Sequence, residues 1–221
     1  MVILCDFDDT AADRNIATLL LDRFQFGSAP PGALPWRDLH RRFLRRELSL
    51  AEYQELSFRD IGVPHAEQAA YVQQNARLRP GFAELAAYCV GNQIGLAIVS
   101  HGLDFYIQAL LEREGLGDVP FFAVRTGREN GATTFEYTFT QAACDWWPGN
   151  CKCRIVDDFR SQGHFVIYAG DGASDACPAQ RAGYVFARDS LLRFCRANGL
   201  AHQELTDFHA VLDYVKTLEI S

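Results

Sequence analysis

The chain has 221 residues, 48% hydrophobic and 12% aromatic, enough to bury a sizeable core with a large insertion and too apolar for a disordered protein. Its net charge of -7 argues against nucleic acid and anionic membranes as partners, while a local basic patch could still receive a small anion. Only four apolar residues separate Met1 from Asp6, too few for a signal-peptide core, and no later run nears the ~20 residues of a membrane helix, so a cytoplasmic location is expected.

The first predicted element is a short buried strand, residues 2–5, running into Asp6-Phe7-Asp8-Asp9-Thr10. Period-two geometry puts Asp6 and Asp8 on one side, at the carboxyl edge of a sheet where two unpaired carboxylates repel. Residues 14–79 contain no convincing strand and read as helices at 15–26, 36–47, 49–60 and 65–77, separated by turn chemistry at 27–32, 62–64 and 79–81. In the second of these, Arg37, Arg41 and Arg45 form a solvated face beside an apolar stripe of Trp36, Leu39 and Phe43. A positive lip attracting phosphorylated substrate is the minority reading of those arginines.

Strand and helix then alternate: helix 81–89, strand 94–99, helix 104–114 and strand 121–124. Strand 94–99 leads into Ser100-His101-Gly102, where a hydroxyl and backbone N–H groups can hold a phosphoryl oxygen. Residues 125–151 are irregular, with a hairpin at 133–140 and a Trp146-Trp147 pair that fits either a substrate pocket or a homodimer contact. Lys152 follows, one of two lysines in the chain, just ahead of another helix. Strand 165–169 ends in Gly170-Asp171-Gly172-Ala173-Ser174-Asp175, followed by helix 175–182, strand 184–187, helix 190–197 and a core-packed helix over 207–218. The alternation predicts an α/β fold, a doubly wound parallel sheet built from residues 1–13 and 80–221, with a helical cap over 14–79.

The segment from Gly170 is no dinucleotide fingerprint, because an acid separates the first two glycines and Asp175 occupies the third glycine position. Carboxylates from Asp6, Asp8, Asp171 and Asp175 converging at one sheet edge make an oxygen-rich site suited to Mg²⁺, which takes a substrate phosphate as a further ligand. The seven cysteines suit reduced, mostly buried thiols better than a disulfide framework. Cys144, Cys151 and Cys153 could hold Zn²⁺, but they lack paired C-x-x-C spacing, and buried thiols flanking the lysine are favoured.

Asp6-Phe7-Asp8-Asp9-Thr10, Ser100, Lys152 and Gly170-Asp171-Gly172-Ala173-Ser174-Asp175, in that order, resemble the haloacid dehalogenase superfamily of phosphohydrolases. The helical insertion is similar to the cap of its phosphoserine-phosphatase-like branch. Asn15-Ile16, "SHGLDFYI", "GNCKC" and "YVFARDSLL" resemble the methionine-salvage family acting on 2-hydroxy-3-keto-5-methylthiopentenyl 1-phosphate, with departures at Asp9, His101 and Arg14. The resemblance implies a Mg²⁺-dependent phosphatase for a small phosphorylated metabolite. In it Asp6 is the nucleophile, Asp8 the acid and base, and Lys152 and Ser100 complete the catalytic set. Thr10, Asn15, His101 and Gly102 then meet phosphate or substrate, and Asp175 supports the metal or orients Lys152. Asn15 lacks the charge to meet a substrate amine, which disfavours phosphoserine as substrate. A phosphoserine-phosphatase-like enzyme and a non-catalytic phosphate-binding scaffold are the alternatives; halide release is disfavoured because it gives Asp8 no role.

Overall fold

The computed structural model describes residues 1–28, 34–144 and 148–218. Seven strands form one sheet: β1 (Val2–Cys5), β2 (Gly95–Leu103), β3 (Phe121–Glu129), β4 (Ala132–Glu136), β5 (Val166–Gly170), β6 (Tyr184–Ala187) and β7 (His202–Glu204), in the order β4-β3-β2-β1-β5-β6-β7. All neighbours are parallel except β3 and β4. The chain builds outward from β1 through β2 and β3, then returns to β5 on the other side of β1. That reversal leaves a crevice at the carboxyl ends of β1 and β5, where Cys5 is in register with Ala169.

Residues of β1 are buried on both faces. Ile3 and Cys5 join the larger core with Phe82 and Leu85 of α5 (Phe82–Gly91) and Val211 and Val215 of α10 (Phe208–Leu218). Val2 and Leu4 join a smaller core with Ile155 and Val156 of α7 (Lys152–Ser161). Such two-sided burial is why the strands read as unbroken apolar runs. The remaining core helices are α6 (Asp104–Arg113), α8 (Ala176–Arg181) and α9 (Asp189–Asn198).

Between β1 and α5 lie α1 (Ile16–Ser28), α2 (Trp36–Leu44), α3 (Leu50–Phe58) and α4 (His65–Asn75). The α2, α3 and α4 helices are shorter than the sequence suggests, and for the first two a local cause is visible. The α2 helix stops before Arg46, which takes φ +59. The α3 helix begins after a capping box, in which Ser49 accepts from the Glu52 N–H and Glu52 reaches back to the Ser49 N–H. The chain leaves and rejoins the sheet along paired segments, with Asp13 N donating to Arg77 O (2.9 Å) and Arg79 N to Ala11 O (2.8 Å). Elsewhere the helices meet the rest of the protein where α4 packs on α6, with Gln73 Nε2 donating to Ala109 O (2.9 Å), and through backbone bonds from Thr133 N to Arg59 O (2.9 Å) and Ala51 N to Pro148 O (3.1 Å).

Three expectations change. The hairpin lies further toward the amino terminus than 133–140, because β3 runs on to Glu129 and turns at Asn130-Gly131, both with positive φ, before β4. Strand β7 has three polar or half-buried residues on a sheet edge and no apolar signature. Cys153 and Cys177 are disulfide-bonded rather than reduced, since α7 and α8 pack side by side and bring the two Cα atoms to 6.0 Å. Trp146-Trp147 lie outside the described residues. No described helix is long and apolar enough to cross a membrane.

Candidate active site

After β1 the chain makes a wide turn closed by Ala11 N to Asp6 O (3.2 Å) and Ala12 N to Phe7 O (2.8 Å). Asp9 takes φ +59 within it, a conformation that Asp tolerates better than most residues and Gly adopts freely. Arg79 fastens the turn, its Nε donating to Thr10 O (2.9 Å) and its Nη2 to Asp9 O (2.9 Å). This turn separates the two leading aspartates into different surroundings.

Asp6 faces Lys152, whose Nζ donates to Asp6 Oδ1 at 2.5 Å and to Asp175 Oδ1 at 2.7 Å. All three groups are buried. Burial pushes the Asp6 carboxyl well above its ordinary range, opposing the pull of Lys152, and Asp175 and Asp171 push the same way as burial. Burial also works against the Lys152 ammonium, but Asp175 and Asp6 outweigh it and hold the lysine charged. For Asp175 burial opposes ionisation, yet Lys152 wins and keeps it a carboxylate.

Asp175 has no oxygen left idle. Its Oδ1 also accepts from Tyr168 Oη (2.7 Å), and its Oδ2 accepts from Gly172 N (2.9 Å) and Asp171 N (3.1 Å). Gly170 permits this approach: a Cβ there would lie 2.7 Å from Asp175 Cγ. Asp175 therefore positions Lys152 and the Asp171 loop.

Asp8 points the other way, toward the helices. Its Oδ1 accepts from Ile16 N (2.6 Å) and its Oδ2 from Tyr106 Oη (2.9 Å). Burial lifts its carboxyl to about 6, against those two donors. The chemistry open to the two aspartates therefore differs, Asp6 being charge-paired and fixed and Asp8 poised to exchange a proton near neutrality.

Oxygens of Asp6, Asp171 and Asp175 lie within 4.8 Å of one another. Thr10 Oγ1 lies 3.0 Å from Asp171 Oδ1 and 3.3 Å from Asp6 Oδ2, and is itself buried. A group of hard carboxylate oxygens that includes no imidazole and no thiolate fits Mg²⁺, and burial and Asp175 raise the Asp171 carboxyl. The Asp8 side chain is not in this group, and Asp175 is saturated by its own donors, so Asp6 and Asp171 are the carboxylates that fit an ion.

A cavity of about 230 Å³ opens above these groups. Asp6, Asp8, Ser100, Gly102, Lys152 and Asp171 line its floor. Ser100 Oγ accepts from Gly102 N (2.8 Å), which leaves the hydroxyl proton to donate upward, and Asn150 Nδ2 holds Ser100 O at 3.3 Å. His101 also lines the cavity; burial lowers its imidazole to about 3, keeping it neutral, and Gln54 Nε2 donates to its carbonyl. Asn15 caps α1 by accepting from Thr18 N (2.9 Å), with its amide NH₂ remaining as a donor at the wall. The rest of the wall from α2 and α3 is His40, Phe43, Leu50, Tyr53, Gln54 and Phe58. Arg37 and Arg41 of α2 and Arg45 just beyond it stay in solvent with carboxylate partners, Arg37 with Asp22, Arg41 with Asp38 and Arg45 with Glu47.

A second, larger cavity of about 760 Å³ lies at the opposite, amino-terminal edge of the sheet, lined mostly by apolar residues such as Val2, Val90 and Phe122. It lacks the convergent acids and the lysine that line the smaller cavity. Sequence reasoning missed Tyr106, Tyr168, Arg79, Gln54 and Asn150. A buried tyrosine on a helix or strand reads as core, and only the partner of its hydroxyl reveals more.

The family model of haloacid dehalogenase-like hydrolases matches residues 3–179. Two relatives named 2-hydroxy-3-keto-5-methylthiopentenyl-1-phosphate phosphatase are similar along their whole length. That of Exiguobacterium sibiricum is 32% identical over 99% of this chain and 97% of its own, and that of Geobacillus kaustophilus 30% over 100% and 97%. Among solved structures, phosphoserine phosphatase in apo form aligns with a TM-score of 0.68 at 20% identity, covering 96% of this chain and 98% of its own. A phospho-aspartyl intermediate analogue of phosphoserine phosphatase aligns at 0.65 and 18% identity over 96% and 97%; both likenesses establish the fold.

Proposed function

From the premise that the chain belongs to the haloacid dehalogenase-like hydrolases, we propose that it is a Mg²⁺-dependent phosphatase that cleaves a small phosphomonoester through an aspartyl phosphate on Asp6. The observation that carries this reading is the division of labour between Asp6, bonded to buried Lys152, and Asp8, lifted to about 6 beneath the helices. Asp6 attacks phosphorus in line, and Lys152 with the Ser100 hydroxyl and Gly102 region receives the phosphoryl oxygens. Asp8 gives its proton to the leaving oxygen, then takes one from the water that hydrolyses the aspartyl phosphate. Mg²⁺ held by Asp6, Asp171 and the Asp8 carbonyl would supply positive charge that offsets repulsion between carboxylate and phosphate.

The cavity wall supports a neutral leaving group. None of the described lining residues from α1 to α3 is an acid, lysine or arginine, and burial lowers the proton affinity of His40. A zwitterionic amino-acid phosphate would find no charged partner among those lining residues, leaving Asp9 of the turn as the one further described acid at the cavity beyond Asp6, Asp8 and Asp171. A short hydroxylated or keto-bearing chain with an apolar end suits Asn15, Phe43 and Leu50, in keeping with the substrate in the relatives' name. In this reading residues 14–79 act as the cap that selects substrate.

The test is hydrolysis of an aryl phosphate with and without Mg²⁺, a panel of phosphorylated metabolites, and trapping of the phosphoenzyme. Metal-dependent turnover and label on Asp6, absent from Asp6→Asn, are expected. Metal-independent turnover or label elsewhere removes the mechanism, absence of turnover favours the scaffold, and efficient cleavage of phosphoserine removes the neutral substrate.

A further inference from the structure

Around the first turn of α7, three chain segments bring four sulfurs together. The Sγ atoms of Cys144, Cys151 and Cys153 lie within 4.8 Å of one another, and Cys153 is bonded to Cys177 of α8. All four line a small cavity of about 130 Å³ with Gln141 and Arg181. The sequence concealed the fourth member, which lies 24 residues beyond Cys153 and is joined to the others only by packing of α8 on α7.

We propose that in the reduced chain Cys144, Cys151, Cys153 and Cys177 form a closed tetrathiolate Zn²⁺ site. The disulfide engages two of the four sulfurs, and those of Cys144 and Cys151 converge on Cys153 beside it. Zn²⁺ takes four thiolates at about 2.3 Å in a tetrahedron, which sets sulfurs a little under 4 Å apart, within the spacing of Cys144, Cys151 and Cys153, and Cys177 is held beside them by its bond to Cys153. Two donors face the sulfurs, while Cys151 Sγ also donates to Gln141 Oε1 at 3.6 Å, a bond that a thiolate gives up. Arg181 Nη1 donates to Cys177 Sγ at 2.7 Å, and Arg154 N donates to Cys151 Sγ at 3.4 Å in the first turn of α7. Four protein ligands leave no open position, so the ion is structural rather than catalytic.

The disulfide and the ion are alternatives. A dithiol reductant transfers two electrons to the Cys153–Cys177 bond, yielding two thiols and the oxidised dithiol; Zn²⁺ then displaces four protons as it takes four thiolates. Cys151 and Cys153 flank Lys152, so the ion would anchor the backbone on both sides of that lysine and tie it to the segment leading from β4.

The experiment uses the full chain, reduced with a dithiol, supplied with Zn²⁺ or Co²⁺ and freed of excess metal by gel filtration. One zinc per chain is expected, with a cobalt form showing sulfur-to-metal charge transfer and the visible bands of tetrahedral thiolate ligation. Cys144→Ser and Cys177→Ser should each lose that spectrum. A denatured zinc-loaded chain should titrate as seven thiols after chelation. Retention of no zinc, a cobalt spectrum without thiolate character, or full retention by both serine variants overturns the site. The wild-type cobalt spectrum decides the matter even where a serine variant fails to fold.

Discussion

The Tyr106 hydroxyl donates a 2.9 Å hydrogen bond to Asp8 Oδ2 from within the first turn of α6, and the glycine at 102 makes room for it. The bond favours the ionised carboxylate against the burial that raises it.

Tyr106→Phe removes one donor to a charged acceptor, an interaction worth about 1.5 kcal/mol or more, so the Asp8 pKa should rise by about one unit. Phosphoryl transfer, which uses protonated Asp8, should then persist to higher pH, while hydrolysis near neutrality slows and phosphoenzyme accumulates. Single-turnover profiles across pH read both effects. Superimposable profiles would reduce the tyrosine to packing.

At Gly102 an added Cβ would lie 2.1 Å from Tyr106 Oη and 3.0 Å from Asp8 Oδ2. Gly102→Ala should therefore lower both the melting temperature and kcat. Combined with Tyr106→Phe, its stability cost should shrink, because the clashing oxygen is gone; coupling between contacting residues is typically about 0.5–3 kcal/mol. Strict additivity in the double-mutant cycle would refute the contact.

Lys152 tests the charge triad in two ways. Arginine's planar fork cannot replace an ammonium held at 2.5 and 2.7 Å by two buried acids, so Lys152→Arg should lose roughly 10²-fold or more in kcat. Lys152→Ala strands Asp6 and Asp175, and should cost about 3–5 kcal/mol in metal-free denaturant unfolding. Near-wild-type values for both variants would describe a solvated lysine.

The Asp8 carboxyl also links stability to pH. Its folded value of about 6 lies above the ordinary 3.8, so its stabilising contribution is complete below the lower value and is lost as pH rises through that window. Above the window the metal-free fold carries a cost of up to about 3 kcal/mol. Asp8→Asn should melt higher than the parent at about pH 7 in chelator, and the gap should close at about pH 4. A gap independent of pH would show that Asp8 is not the linked group.

The acids and the lysine were legible because charge at the end of a buried strand has few bland explanations. Asp6, Asp171 and Lys152 meet through parallel pairing of β1 with β5 and the packing of α7, all implied by strand-helix alternation. Tyr106 and Tyr168 were not legible, since their rings satisfy the core pattern and their hydroxyls carry the information. Asn130-Gly131 was a readable hairpin signal, but the apolar end of β3 at Val124 concealed the polar continuation beyond it. Asn15 reads as a leaving-group contact from its place after the acidic turn; its capping bond to Thr18 is the local chemistry that this view omitted.

The backbone bonds from Thr133 to Arg59 and from Ala51 to Pro148 lie away from the covalent entry and exit of the four helices at Asp13 and Arg77. Those two bonds lie outside the packing that joins the helices to the sheet, where Ile16, Leu20, Phe58 and Val72 share the main core with Ile107 and Leu110. Releasing those two bonds leaves that core intact, so the amides of Thr133 and Ala51 should exchange with solvent deuterium faster than those of the buried strands. The hairpin turned at Asn130-Gly131 thereby ties the edge of the sheet to the end of α3 by a contact that can open while the shared core stays closed.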